Sequence, residues 1–305
     1  MRNKHQGFLY GVLAYFFWGF FPLFWPILKP AGTMEILTHR ILWALAFVML
    51  LLVIQGRASS TLDILKNRKK TLFLGFSAIA IAANWGGYIY IVNLGKTLDA
   101  SLGYFIMPLI SVLCGVFLFQ ERLNRMQWLA IGIAGVSVAI QSIYYGSVPW
   151  NSLALAVSFG AYGVFKKIAN ADAMPGMAIE TAFLFFPALI YAIYLTEKNT
   201  ATYINYGLFH SALLMLGGVV TVIPLIFLSS ATVRVPLSTI GMLQYITPII
   251  QFLIGWLVQG ETMSPSRWAV FILVWIALLI LTIDAVRTVC RNSSEIQSKV
   301  ILKIR

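Results

Sequence analysis

The stretch FIMPLISVLCGVFLFQERLNRMQW, residues 105–128, returns in outline 140 residues later as YITPIIQFLIGWLVQGETMSPSRW, residues 245–268. Without a gap, Ile106 falls on Ile246, Pro108 on Pro248, Gly115 on Gly255, Glu121 on Glu261 and Trp128 on Trp268. Chance is a poor explanation for a proline, a glycine, a glutamate and a tryptophan kept in register. Near the start of each half, AYFFWGFF (14–21) lies over SFGAYGVF (158–165), and Glu35 lies over Glu180. The chain therefore reads as two repeats, 1–146 and 147–286, followed by a basic tail, 287–305.

What these repeats are made of follows from composition. Of 305 residues, 60% are hydrophobic and 10% charged, where soluble domains run near a quarter charged. A water-soluble core cannot absorb that much apolar surface. A bilayer can, given runs of about 20 apolar residues for each helical crossing of roughly 30 Å. Ten such runs follow almost back to back: 7–28, 34–54, 71–92, 100–119, 126–143, 149–165, 176–195, 211–229, 236–258 and 265–286. The first is expected to remain as an uncleaved helix, because no small-x-small cleavage site follows it. The expected fold is an all-α integral membrane bundle with no sizeable extramembrane domain.

The formal net charge of +12 would suggest nucleic acid in a soluble protein, but here the basic residues sit in short loops. They report topology instead. With the N-terminus inside, 17 of the 22 lysines and arginines fall on the cytoplasmic side, leaving Lys29, Arg40, Lys96, Lys198 and Arg267 opposite. Both termini are expected to be cytoplasmic. Because each repeat has an odd number of spans, the two must be oppositely oriented, an arrangement characteristic of secondary transporters. Cys114 and Cys290 are the only cysteines, so neither a disulfide framework nor a CxxC metal site is available.

Polar residues inside the spans mark the candidate site. In the second span the apolar run Ile41–Ile54 covers only about 21 Å, so Glu35, His39 and Arg40 must enter the helix. The seventh span repeats the pattern after Glu180. Short apolar segments at matching positions of two halves point to a binding region, and ionisable residues within spans tend to face the bundle interior. Glu35 and His39 share a helix face and can pair locally. Inverted topology sets Glu35 and Glu180 at opposite mouths of one cavity, as gate or proton-linked residues; the alternative is that they snorkel to headgroups or cap helix starts.

Further candidates are Asn84, Trp85 and Tyr88 in the third span, and Tyr104 and Pro108 in the fourth. Gln244, Tyr245 and Pro248 match the latter in the ninth. Prolines inside spans free carbonyls that neighbours or a ligand must satisfy. Tyr15, Trp18 and Tyr162 offer faces for a planar or cationic ligand. The cavity is expected between spans one, two, three, four, six, seven, eight and nine. HExxH, GxxxxGK[ST], GxSxG and paired carboxylates within one span are all absent, so no catalytic, metal or cofactor site is expected.

Several segments together carry a resemblance: Glu35-Ile-Leu-Thr-His-Arg40, Asn84-Trp85 with Val92-Asn93, Ala100-Ser-Leu-Gly-Tyr-Phe-Ile-Met-Pro-Leu109, Arg125-Met-Gln-Trp-Leu-Ala130, Pro236-Leu-Ser-Thr-Ile-Gly241 and Gln244-Tyr-Ile246. Over nearly its whole length the chain resembles the EamA-type permeases of the drug/metabolite transporter superfamily. The resemblance implies a bacterial inner-membrane permease or exporter without ATPase domains, its pore between the halves, with some relatives carrying amino acids or aromatic metabolites. Where that pattern has Ile-Asn-Pro-Leu, this chain has Ile106-Met-Pro-Leu109.

The function expected from the sequence is alternating-access transport of a small metabolite, an amino acid or an aromatic or amphipathic compound. A coupling proton or other ion belongs to this expectation, with Arg40 as an anion contact or structural counter-ion and His39 as a pH-sensitive partner. The expected partners are that substrate and the lipid bilayer, and no nucleic acid. A channel-like facilitator or membrane sensor is the alternative, and a membrane-embedded enzyme the third reading.

Overall fold

The computed structural model describes the backbone of residues 2–120 and 122–304, with side chains throughout except those of residues 2, 3, 119, 145, 237, 238, 285 and 288–305. Glu121 of the repeat, Arg305 and the side chains of the basic tail beyond residue 287 thus lie outside the described residues. Helices make up the fold, with no strand among the described residues, as expected where every backbone polar group must be satisfied within its own segment. Ten helical segments among them are long and apolar enough to cross a bilayer: Lys4–Leu28, Thr33–Ile54, Arg68–Asn93, Thr97–Leu118, Arg125–Tyr144, Trp150–Ala169, Ala173–Glu197, Gly207–Thr232, Thr239–Val258 and Pro265–Asp284. The chain is a multi-pass membrane protein. Large apolar side chains such as Ile54, Phe117 and Ile143 are exposed on its outer surface, where lipid solvates them.

At the third and fifth spans a side-chain cap, not hydropathy, sets where the helix begins. The third span begins with Arg68-Lys69-Lys70, its first turn held by the Asn67 side chain accepting the Lys70 N–H at 3.1 Å. The fifth begins at a reciprocal cap between Asn124 and Gln127. A short helix, Ala58–Lys66, fills the connection between the second and third spans, and the hydropathy reading did not anticipate it.

The first span packs on the eighth and ninth, the second on the seventh and eighth, the third on the sixth and seventh, the fourth on the sixth and ninth, and the fifth on the tenth. Exchanging every span for the one five places on returns the same list of strongest contacts. Close approach is tightest between the second and eighth spans. A Cβ on Gly218 would lie 2.4 Å from the Ala44 backbone nitrogen, so only glycine lets the two backbones meet there.

Two of the wall helices are broken. Pro22 and Pro26 interrupt the first span, which ends in a 3₁₀ turn at Trp25–Leu28. The ninth runs as Leu237–Leu243, then Ile246–Leu253, then a π turn at Ile254–Val258. Pro22 has no N–H for the Trp18 carbonyl, and the Gln251 side chain supplies one at 3.3 Å. In the same way Pro26 leaves the Pro22 carbonyl open, and Gln259 Nε2 donates to it at 3.3 Å. Thr247 Oγ1 adds a bond to the Tyr15 carbonyl at 2.7 Å. The backbone defects of one span are thus satisfied by side chains of the other.

Candidate functional site

Between these helices lies a cavity of about 330 Å³, lined by residues of eight spans, the fifth and tenth contributing none. The first span supplies Tyr15, Trp18 and Phe21, and the second Arg40. Asn84, Trp85 and Tyr88 come from the third, Tyr104 and Met107 from the fourth, and Tyr162 from the sixth. Glu180 of the seventh, Thr221 of the eighth, and Gln244, Thr247, Pro248 and Gln251 of the ninth complete the polar and proline positions. Most of the wall is apolar or aromatic, the usual make-up of a small-molecule site with a few placed polar groups.

Arg40 dominates its electrostatics. The side chain is 3% exposed, and its guanidinium carbon sits 4.2 Å from the centre of the Trp85 ring and 4.9 Å from that of Trp25. Its Nε donates to Thr221 Oγ1 at 2.8 Å, while the Thr221 hydroxyl itself donates to the Gly217 carbonyl at 2.9 Å. No ion pair among the described residues includes Arg40, and its Nη1 is buried without a hydrogen-bond partner. An arginine inside a span costs up to roughly 2.5–3.5 kcal/mol on insertion scales, the figure for a helix centre. Desolvated cation–π contacts offset about 2 kcal/mol of that.

The second charge on the wall is already matched. Glu180 Oε1 accepts from Lys166 Nζ and from Ser77 Oγ, each at 2.7 Å, and Lys166 also lies over the Tyr162 ring. Asn84 is likewise committed, donating to the Leu155 carbonyl at 3.0 Å and accepting from Tyr104 OH at 3.4 Å.

Four of the residues singled out from sequence lie off the cavity wall. Glu35 is buried beside the loop that follows the seventh span, whereas Glu180 lies in the first half of that span, Ala173–Glu197. Its Oε1 accepts the backbone N–H groups of Thr202 at 2.6 Å and Tyr203 at 3.1 Å. His39 stacks on Tyr203, ring centres 4.3 Å apart. Instead of pairing with each other, Glu35 and His39 both engage the loop that follows the seventh span. The same loop is tied to the eighth span by Thr202 Oγ1 and His210 Nε2 at 2.9 Å. Pro108 is next to the wall residue Met107, and Tyr245 packs into the cluster around Phe105, Phe252 and Phe271. Thr221, Ser77, Lys166 and the Thr202–Tyr203 amides were not singled out from sequence, because nothing local marks them; each is defined by a partner on another helix or loop, for all but Lys166 more than 100 residues away.

The EamA-like transporter family model matches this chain twice, over residues 5–143 and 149–283. The chain belongs to the EamA-like transporter family. Among curated relatives of this EamA-like protein, Protein RarD of Streptomyces exfoliatus is 47% identical over 97% of this chain and 94% of its own. Protein RarD of Escherichia coli K12 is 36% identical, covering 96% and 99%. An uncharacterized transporter of Vibrio cholerae is 36% identical, covering 94% and 95%. A crystal structure of a protein with 15% sequence identity superposes with a TM-score of 0.59 over 93% of this chain and 99% of that one, which shows a shared fold. In this EamA-like transporter the departure noted above, Met107, stands on the cavity wall, making that stretch of the wall less polar than an asparagine would.

Proposed function

We propose that this chain is a secondary carrier moving a small amphipathic metabolite by alternating access across the bacterial inner membrane, both termini cytoplasmic. The observation that carries the reading is the central cavity, walled by spans from both halves. At each end a buried carboxylate joins one half to the other: Glu35 to the Thr202–Tyr203 loop, Ser77 to Glu180. Opening one end requires releasing one set of contacts while keeping the other. That is the work of a gate pair.

The two matches to the family model, together with strongest packing contacts that five-span exchange leaves unchanged, support the division into inverted repeats 1–146 and 147–286; 287–305 is proposed as a cytoplasmic tail. The proposed partners are the substrate, the lipid bilayer and a coupling proton or other ion. Cofactor, metal, nucleic acid and catalytic residues have no part in the proposal.

The test is counterflow in proteoliposomes holding the full chain, with and without a pH gradient, across labelled amino acids, aromatic metabolites and organic acids. Saturable exchange supports the carrier. Non-saturable equilibration would instead indicate a channel-like facilitator, and ligand binding without flux a sensor.

A further inference from the structure

Resting on the carrier reading, the geometry points to a cargo of defined charge: we infer that the cavity binds a small organic monocarboxylate, an apolar or planar body carrying one negative charge and no ammonium group, with its carboxylate on Arg40.

Charge on the cavity wall sets the first requirement. The cavity wall holds two ionic side chains, and Glu180 is matched by Lys166 at 2.7 Å. Arg40 is left as a buried cation with no carboxylate beside it. One unit of negative charge brought by the ligand completes the site, and a guanidinium is the side chain best shaped to take a carboxylate through two parallel hydrogen bonds. A zwitterionic amino acid would have to place its ammonium as well. The wall's sole carboxylate is occupied by Lys166 and Ser77, so that second charge has no counterpart.

Unpaired hydrogen-bonding groups set the second. Buried polar groups are almost always partnered, and each exception in a native fold asks for a reason such as an absent ligand. Four exceptions gather around the cavity. Arg40 Nη1, Tyr88 OH, Trp25 Nε1 and Gln251 Oε1 are all buried without a partner. Arg40, Tyr88 and Gln251 line the cavity, and the Trp25 ring lies against the guanidinium. Arg40 Nη1 and Trp25 Nε1 can only donate and the Tyr88 hydroxyl can do so, so an anion satisfies these three; Gln251 Oε1 accepts only and takes no part in holding the anion. Arg40 is also held in place before a ligand arrives, by Thr221 at one nitrogen and by the Trp85 and Trp25 faces.

The rest of the lining selects the body of the ligand. Tyr15, Trp18, Tyr104 and Met107 provide an apolar and aromatic lining within about 330 Å³. That suits a flat or short-chain acid better than a polyhydroxylated or multiply charged one.

The experiment compares three molecules with one body: 3-phenylpropionate, phenylalanine and 3-phenylpropanamide, which are anionic, zwitterionic and neutral. Butyrate, benzoate and indole-3-acetate extend the acid series. Binding to purified full-length protein is read as a shift in Tm, and transport as counterflow in proteoliposomes. At least one acid is expected to raise Tm and exchange saturably, and 3-phenylpropionate to bind at least tenfold more tightly than its zwitterionic and neutral analogues. Arg40→Gln is expected to abolish this preference while Arg40→Lys retains part of it; Thr221→Val, which leaves the charge in place, is expected to weaken binding less than Arg40→Gln.

Equal or better binding of phenylalanine or the amide overturns the inference. So does an acid response unchanged in Arg40→Gln, a Tm shift produced by chloride or phosphate but by no acid, or silence across the acid series. Acid binding without exchange upholds the anion site and defeats the carrier reading. Exchange of zwitterions without preference for acids does the reverse.

Discussion

The Glu35 carboxylate accepts the backbone N–H of Thr202 at 2.6 Å, joining the second span to a loop 167 residues away. The Tyr203 N–H shares the same oxygen, and His39, one turn along the helix, holds the loop by stacking on the Tyr203 ring. Glu35→Ala leaves two backbone donors unpaired in a buried position, each costing about 1–3 kcal/mol. The expected result is a lowered Tm and at least tenfold slower exchange, with Glu35→Gln milder because its amide oxygen still accepts. Exchange rates that stay at the wild-type level in Glu35→Ala, and in Glu35→Gln with Glu180→Gln, would remove the gate role and leave the fold standing.

In the first half of the seventh span, Glu180 is 3% exposed and owes its place to Lys166 and Ser77. Removing one partner of a buried ion pair is costlier than removing both, because it strands a charge away from water. Lys166→Met alone is expected to destabilise by roughly 3 kcal/mol. The double variant Lys166→Met with Glu180→Leu is expected to recover most of that loss. A Tm series over the two single variants and the double one checks it, and additive losses would show that the pair does not act as a unit.

The spans were legible in sequence because crossing a bilayer demands a long unbroken apolar run, and nothing else in the chain supplies one. Arg40 was legible for the converse reason: a charge inside such a run has no routine explanation. What stayed hidden depends on contacts between distant segments. Thr221 is one hydroxyl among many until the eighth span sets it 2.8 Å from Arg40. Residues 196–210 read as a gap between apolar runs, yet two of their amides hold Glu35. The helix Ala58–Lys66 escaped because its amphipathic pattern is too short and polar for a hydropathy window. Gln251 and Gln259 gave no signal either, since their task, replacing the N–H groups missing at Pro22 and Pro26, appears only once the first and ninth spans are side by side.

Gly218 offers a sterically sharp prediction. One added methyl would meet the backbone of Trp43 and Ala44 at 2.4–2.5 Å, atoms that cannot rotate away as a flexible side chain can. Gly218→Ala must therefore push the eighth span from the second, and Thr221 rides on that same helix beneath Arg40. Overpacking of this kind costs about 1–3 kcal/mol or more. Expected are a lower Tm and weakened binding of any ligand that uses Arg40. Gly132 in the fifth span has open space at the same atom, so Gly132→Ala is the matched control and should be neutral or slightly stabilising, alanine being the better helix former. Equal behaviour of the two variants would contradict the close approach of the second and eighth spans.

The loop between the ninth and tenth spans supplies a pH dependence with a definite sign. Burial pushes the Glu261 carboxyl above its ordinary value of 4.5, against the opposing pull of the Leu98 N–H and Arg267, with nearby Asp99 adding to the rise. A carboxyl raised in the folded state holds its proton to higher pH than in the unfolded chain. Its favourable contribution is therefore complete below pH 4.5 and is lost as pH climbs through the raised value. Glu261→Gln cannot ionise and keeps a side-chain oxygen for the Leu98 N–H, which Glu261 accepts at 2.9 Å. Measured as Tm against pH, wild type is expected to decline relative to Glu261→Gln from pH 4.5 upward and then level off once the carboxyl is ionised in both states. Arg267→Met removes the cation 3.0 Å from Asp99 and 3.9 Å from Glu261, so its decline should be steeper and extend to higher pH. Parallel profiles for wild type and Glu261→Gln would show that this carboxylate is not held against its charge.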